Sequence, residues 1–135
     1  MTSGFDEPVF ALGPVGQITL AVADLDRSET FYGEVLGLRK LFGSVGQAAY
    51  DCGEIRLLLQ RRAAGEDVRP ASPICFRVHD IRRARQELEA QGVVFVEGLQ
   101  LVAAFDRYDL WMTYFVDPDG HRLALMMEGP KGFAA

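Results

Sequence analysis

Cysteine and histidine are both scarce in this 135-residue chain. Two cysteines, Cys52 and Cys75, are too few for a disulfide framework and lack the close spacing of a metal-binding pair. Only two histidines, His79 and His121, are present to titrate near neutrality. Basic residues are outnumbered, 14 Lys and Arg against 19 Asp and Glu, for a net charge of −5. That balance speaks against a nucleic-acid surface, which needs a basic face to neutralise phosphates. No apolar run approaches the ~20 residues that span a bilayer, so no membrane partner is expected. The start, Met1 to Glu7, has no basic stretch leading into an apolar one, and the expected compartment is the cytoplasm. What remains is ordinary globular material, 49% hydrophobic and 24% charged, of a length suited to one domain spanning 1–135.

The chain repeats itself. Ile18 to Arg27 recurs as Ile74 to Arg83 at a constant offset of 56, with Ile18/Ile74, Val22/Val78, Asp24/Asp80 and Arg27/Arg83 identical. Each copy alternates like a half-buried strand, then places an aspartate where a helix N-cap belongs. In the first helix Leu25, Tyr32, Val35 and Leu36 share a face; in the second, Ile81, Ala84 and Leu88 do. Gly37 and Gly92 mark the helix ends. Strand-like runs follow at Leu38–Phe42, Gln47–Cys52 and Ile55–Gln60, and again at Val93–Val96, Trp111–Val116 and Arg122–Met127. Asp117-Pro118-Asp119-Gly120 is a strong turn signal. Each half therefore reads strand, helix, strand, strand, strand: module one at about 14–60, a linker at about 61–71, module two at about 72–128.

One helix covers one face of a four-stranded sheet, so the other face must meet a second half, a partner chain or a ligand. Alternation puts Ile18, Leu20 and Val22 under the helix and Gln17, Thr19 and Ala21 on the open face. In the repeat, Ile74, Phe76 and Val78 lie under the helix, while Pro73, Cys75 and Arg77 face the cleft.

Gln17 to Tyr32 with Val35-Leu36-Gly37-Leu38, and Asp117 to Leu125, resemble the vicinal oxygen chelate superfamily of glyoxalase I, extradiol dioxygenases, methylmalonyl-CoA epimerase and bleomycin-resistance proteins. With the repeat, the likeness covers nearly all of 16–128. It implies an α+β fold of two tandem βαβββ modules forming a curled mixed sheet around a cleft, often in homodimers, sometimes with modules exchanged or clefts completed across the interface. In the metal enzymes of that superfamily each module supplies one ligand from its first strand and one from its last. Here the first-strand positions are Gln17 and Pro73. The last-strand position of module two is Ala124, and that of module one is Leu57, or Leu58 or Arg56 with a slip of one. Only Gln17 among the four carries a donor oxygen, and one neutral amide cannot hold a divalent ion. No metal and no cofactor are expected.

Other residues have bland and functional readings. His79 and His121 sit at strand ends and read as boundary residues near solvent, with a general-base role as the functional alternative. Cys75 faces the cleft as a small hydrophobe or as a nucleophile. Arg77, inward in an apolar strand, demands either an internal carboxylate or an anionic ligand. Trp111, Thr113 and Phe115 share a face that suits core packing, with one aromatic at the cleft mouth suited to a planar ligand. Gly98 to Leu110 is longer than a hairpin needs and reads as a lid over the cleft. Arg77, Arg82, Arg83 and Arg85 form a local basic patch, read as a solvated helix face compensated by Glu87 and Glu89.

Together these readings describe a metal-independent protein, similar to the bleomycin-resistance branch, that binds a small organic molecule in a cleft. Gln17, Thr19, Leu57, Cys75, Arg77, Trp111 and Ala124 line that cleft and none is assigned a catalytic role. The competing reading is an enzyme, a glyoxalase-like lyase, epimerase or dioxygenase with a non-standard metal site.

Overall fold

The computed structural model describes residues 12–66 and 73–133. The expected linker at 61–71 falls partly outside them. The element order repeats as the sequence does. Module one comprises β1 (Gln17–Val22), α1 (Leu25–Glu29) running into a π-helical segment (Thr30–Val35), β2 (Arg39–Ser44), β3 (Gln47–Cys52) and β4 (Ile55–Arg61). Module two comprises β5 (Ile74–Arg77), α2 (Ile81–Ala90), β6 (Gln100–Ala104), β7 (Asp109–Val116) and β8 (Arg122–Gly129).

The repeat is carried into backbone geometry. Asp24 and Asp80, both extended at φ −128° and −133°, cap their helices by accepting the N–H of Arg27 and of Arg83, each at 3.1 Å. After α1 the chain widens, and Leu36 N–H reaches back five residues to Phe31 O at 2.9 Å. Gly33 on this segment sits so close to the Tyr50 ring that an added Cβ would lie 3.3 Å from it.

Each module forms one four-stranded sheet, ordered β1-β4-β3-β2 and β5-β8-β7-β6. The outer pairs β1/β4 and β5/β8 are parallel, and the remaining pairs are antiparallel. The expected α+β fold of two tandem βαβββ modules is present, with the mixed sheets open and not curled: among the described residues no strand pair joins the modules. Side-chain contacts from module two meet the outer edge of β1 instead, where the His121 imidazole donates through Nε2 to Ala21 O at 2.9 Å. His121, expected near solvent, is 1% exposed.

One hydrophobic core serves both modules. Leu20, Val22, Tyr32, Leu57 and Leu59 from the first join Ile81, Phe115, Leu123 and Leu125 from the second. The alternation in β1 holds, with Leu20 and Val22 buried and Gln17 and Thr19 exposed. Two expected elements differ. The stretch read as a lid contains β6 and a tight hairpin closed by Phe105 N–H on Tyr108 O at 2.9 Å. The expected strand at Val93–Val96 contributes only an isolated bridge, Phe95 to Phe115. The edge place in the second sheet goes to β6, whose register shift between Leu101 and Ala103 breaks the alternation that would have revealed it.

The modules are locked by the Asp-Pro-Asp-Gly turn. Asp117 Oδ1 accepts its own turn's N–H groups from Asp119 (2.9 Å) and His121 (2.8 Å), while Oδ2 accepts the buried Tyr32 hydroxyl at 2.6 Å. Asp119 crosses to the start of α1, accepting from Ala23 N–H (3.0 Å), Arg27 (3.2 Å) and Ser28 Oγ (3.3 Å). Burial, reinforced by the Asp117 carboxylate, pushes the Tyr32 phenol far above its ordinary value. Burial and then Glu29 push Tyr50 up to about 12 from 10.0. Both phenols hold their protons more tightly folded than unfolded, so this stabilisation is full below pH 10 and fades as pH rises through 12. Stability is expected to fall between pH 10 and 12 in chemical denaturation. A Tyr32→Phe, Tyr50→Phe double variant should show a shallower fall.

Candidate functional site

Strand partners opposite each other project to the same face, so register places every side chain. On the open face of module one, Gln17 on β1 stands beside Arg56 on β4, Asp51 on β3 and Arg39 on β2. These form a connected polar row. Gln17 donates through its amide nitrogen to Thr19 Oγ1 at 3.0 Å, and its Oε1 accepts Arg56 Nε at 2.6 Å. Arg39 pairs with Asp51 at 2.8 Å. Arg56 also stacks 5.4 Å from the centre of the Phe42 ring.

The open face of module two is less polar. Cys75 on β5 aligns with Ala124 on β8 and Tyr114 on β7, and Arg77 aligns with Met126 and Met112. Arg77 donates through Nε to Glu128 Oε1 at 3.2 Å, so the internal carboxylate is the partner the strand required. Arg122 stacks on Tyr114 at 4.7 Å. Desolvation raises the thiols of Cys75 and Cys52 above their ordinary value, which lowers the thiolate fraction at neutral pH.

Five of the seven residues assigned to the cleft lie on these faces by register, Gln17, Thr19, Cys75, Arg77 and Ala124, although Ala124 is itself fully buried. Two do not. Leu57 is 2% exposed and aligns with Ile18 and Tyr50 on the helix side. The triple leucine Leu57-Leu58-Leu59 hides which members point inward, and the adjacent Arg56 holds the open-face position. Trp111 aligns with Met127 and packs on the core side, 6.3 Å from Phe133. Its Nε1 is buried with no hydrogen-bond partner among the described residues. Met112, Met126, Tyr114 and Asp51 also lie on these faces, where the strand register from Cys75, Arg77 and Gln17 places them. Arg85, read as part of a solvated patch, instead reaches inward to Thr113 Oγ1 and Glu97 O, each at 2.7 Å.

The four family-ligand positions can now be tested against their surroundings. Gln17 already spends both ends of its amide on Thr19 and Arg56, and a guanidinium at 2.6 Å repels an incoming cation. Ala124 and Leu57 have no donor atom, and Pro73 brings none in its side chain. Among the described residues no group of three His, Cys, Asp or Glu converges. These residues do not fit a divalent ion.

The profile of the glyoxalase/bleomycin resistance protein/dioxygenase superfamily matches residues 15–125. The chain belongs to that superfamily. Glutathione transferase FosA of Serratia marcescens is 34% identical over 122 residues, covering 84% of this chain and 80% of the relative. A superfamily member from Sphaerobacter thermophilus has a similar fold, with a TM-score of 0.72 and 24% identity over 87% of this chain and 98% of that one. A virulence protein from Salmonella typhimurium gives a TM-score of 0.71 at 21% identity, over 88% and 99%. This glyoxalase-superfamily chain thus has the family's fold while departing from its metal-binding residues.

Proposed function

We propose that the protein is a metal-independent member of the superfamily that holds a small organic molecule against the open sheet faces. The observation that carries this reading is the Gln17–Arg56 hydrogen bond, which puts a cation's competitor where the metal enzymes place a ligand. The side chains at the remaining positions, Leu57, Pro73 and Ala124, carry no coordinating atom. Cys75, Tyr114 and Met126 present an apolar, polarisable floor over the buried Ala124 and Met112, and the Arg77–Glu128 and Arg56–Gln17 pairs give it polar edges. Leu41, Phe42, Leu101, Val102 and Phe105 leave apolar surface on β2, β6 and the loop after it. That surface supports a homodimer in which two copies enclose the ligand. Cytoplasmic placement belongs to the same proposal.

The Serratia relative, a glutathione transferase, keeps an enzymatic reading in play, with a metal set other than the usual one. A single experiment separates the two. A library of planar amines, organic acids and CoA esters is screened by thermal shift with a chelator present throughout. Ligands that raise the melting temperature despite the chelator, and lose affinity in Thr19→Trp and Cys75→Trp, are the expected result. Ligand stabilisation that vanishes with chelator, or glutathione conjugate formed only on adding metal, would establish the enzyme instead.

A further inference from the structure

The repeat that builds the fold is broken at one place, and the break leaves a cavity. In module two, β7 and β8 are joined by five residues, Asp117 to His121, which fill the seam against Ala21, Ser28 and Tyr32. The corresponding connection in module one, between β3 and β4, has two residues, Gly53 and Glu54. It is too short to make the reciprocal contact. The offset of 56 carries Ala21, Ser28 and Tyr32 onto Arg77, Ala84 and Leu88. The partners of the missing turn have therefore become smaller or apolar at the two helical positions. No buried hydroxyl is left waiting for a carboxylate.

At this place a cavity of about 400 Å³ lies between the end of the π-helical segment and α2. Ala84 and Leu88 form one wall, Val35 and Leu36 the other, and Phe76 and Phe115 contribute to the rest. Phe115 is fully buried and the other five are half-buried. Arg77, Glu87 and Gln91 supply the polar lining, and its two charged groups are already in ion pairs, Arg77 with Glu128 at 3.2 Å and Glu87 with Arg83 at 2.8 Å.

We propose that this seam cavity is a binding site, separate from the open sheet faces, for a compact neutral apolar molecule such as a bicyclic aromatic. Its size falls within the range of small-molecule pockets, and its walls gain by losing water. Neutrality follows from the polar lining. A charged ligand would have to displace Glu128 or Arg83 from an existing pair, or enter the apolar interior desolvated and unmatched. The inference goes beyond the sheet-face reading and does not depend on it.

The probes are 1-naphthol and its anionic counterpart 1-naphthoate, titrated calorimetrically into the full chain at several protein concentrations. Saturable naphthol binding with a Kd on the order of 100 µM is expected, with naphthoate at least tenfold weaker. Ala84→Phe, which fills the cavity, should weaken naphthol tenfold or more and leave the melting temperature unchanged or higher. Leu88→Phe provides the same test if Ala84→Phe does not fold. Thr19→Trp, on the open sheet face, should leave naphthol binding intact. Four results would overturn the proposal. They are absence of naphthol binding up to about 1 mM, equal affinity for naphthoate, loss of binding in Thr19→Trp with retention in the filled variants, and affinity that falls as protein concentration rises. The last would assign the cavity to a second copy of the chain.

Discussion

Replacing Asp117 by alanine is expected to destabilise the fold by about 3–5 kcal/mol, because one carboxylate satisfies three donors in the seam between the modules. It accepts the N–H groups of Asp119 and His121 and the hydroxyl of Tyr32 at 2.6 Å. Alanine would leave that hydroxyl buried without its acceptor and release the turn that aims Asp119 at the start of α1. The melting temperature should fall by roughly 10–15 °C for a chain of this size. Asp117→Asn, which keeps an acceptor oxygen, should recover part of the loss. A fall of under about 2 °C in Asp117→Ala would show that the seam is held chiefly by apolar contact.

Phe115→Ala should cost a similar amount, about 3–5 kcal/mol, through a different mechanism. Phe115 is fully buried, lies in the core shared by both modules and packs on Phe95 with ring centres 5.3 Å apart. Its removal also merges lost core volume with the adjoining seam cavity, which Phe115 helps to line. The variant should be partly restabilised by naphthol, and the rescue should exceed the shift seen with the parent protein. Urea denaturation with and without the probe measures both effects.

The features most legible in the sequence are those fixed by short-range chemistry. Asp24 and Asp80 announce helix starts because a carboxylate accepting a helix N–H is a local matter, and both caps are formed. The alternation in β1 gives its buried face, and the same pattern predicts Cys75 and Arg77 on the open face of β5. Where apolar residues run together, alternation carries no phase. Leu57, in such a run, turns to the helix side, and the contact between Gln17 and the adjacent Arg56 shows only in the strand register. Trp111 lies at an alternating position, yet alternation alone does not say which face is wet. The long-range relations were out of reach altogether. Nothing in a single strand says that β1 and β5 do not pair with each other, or that His121 reaches back to Ala21 across 100 positions.

The absence of a metal-binding set at the family positions is the claim on which the functional account turns. Calorimetric titration of chelator-treated protein with Ni, Mn, Fe and Zn, paired with melting curves, tests it most directly. The account predicts no stoichiometric binding and a melting temperature unmoved by any of the four ions. An ion bound one to one, stabilising the fold by about 2.7 kcal/mol at a hundredfold excess over its Kd and lost in Gln17→Ala, would contradict it.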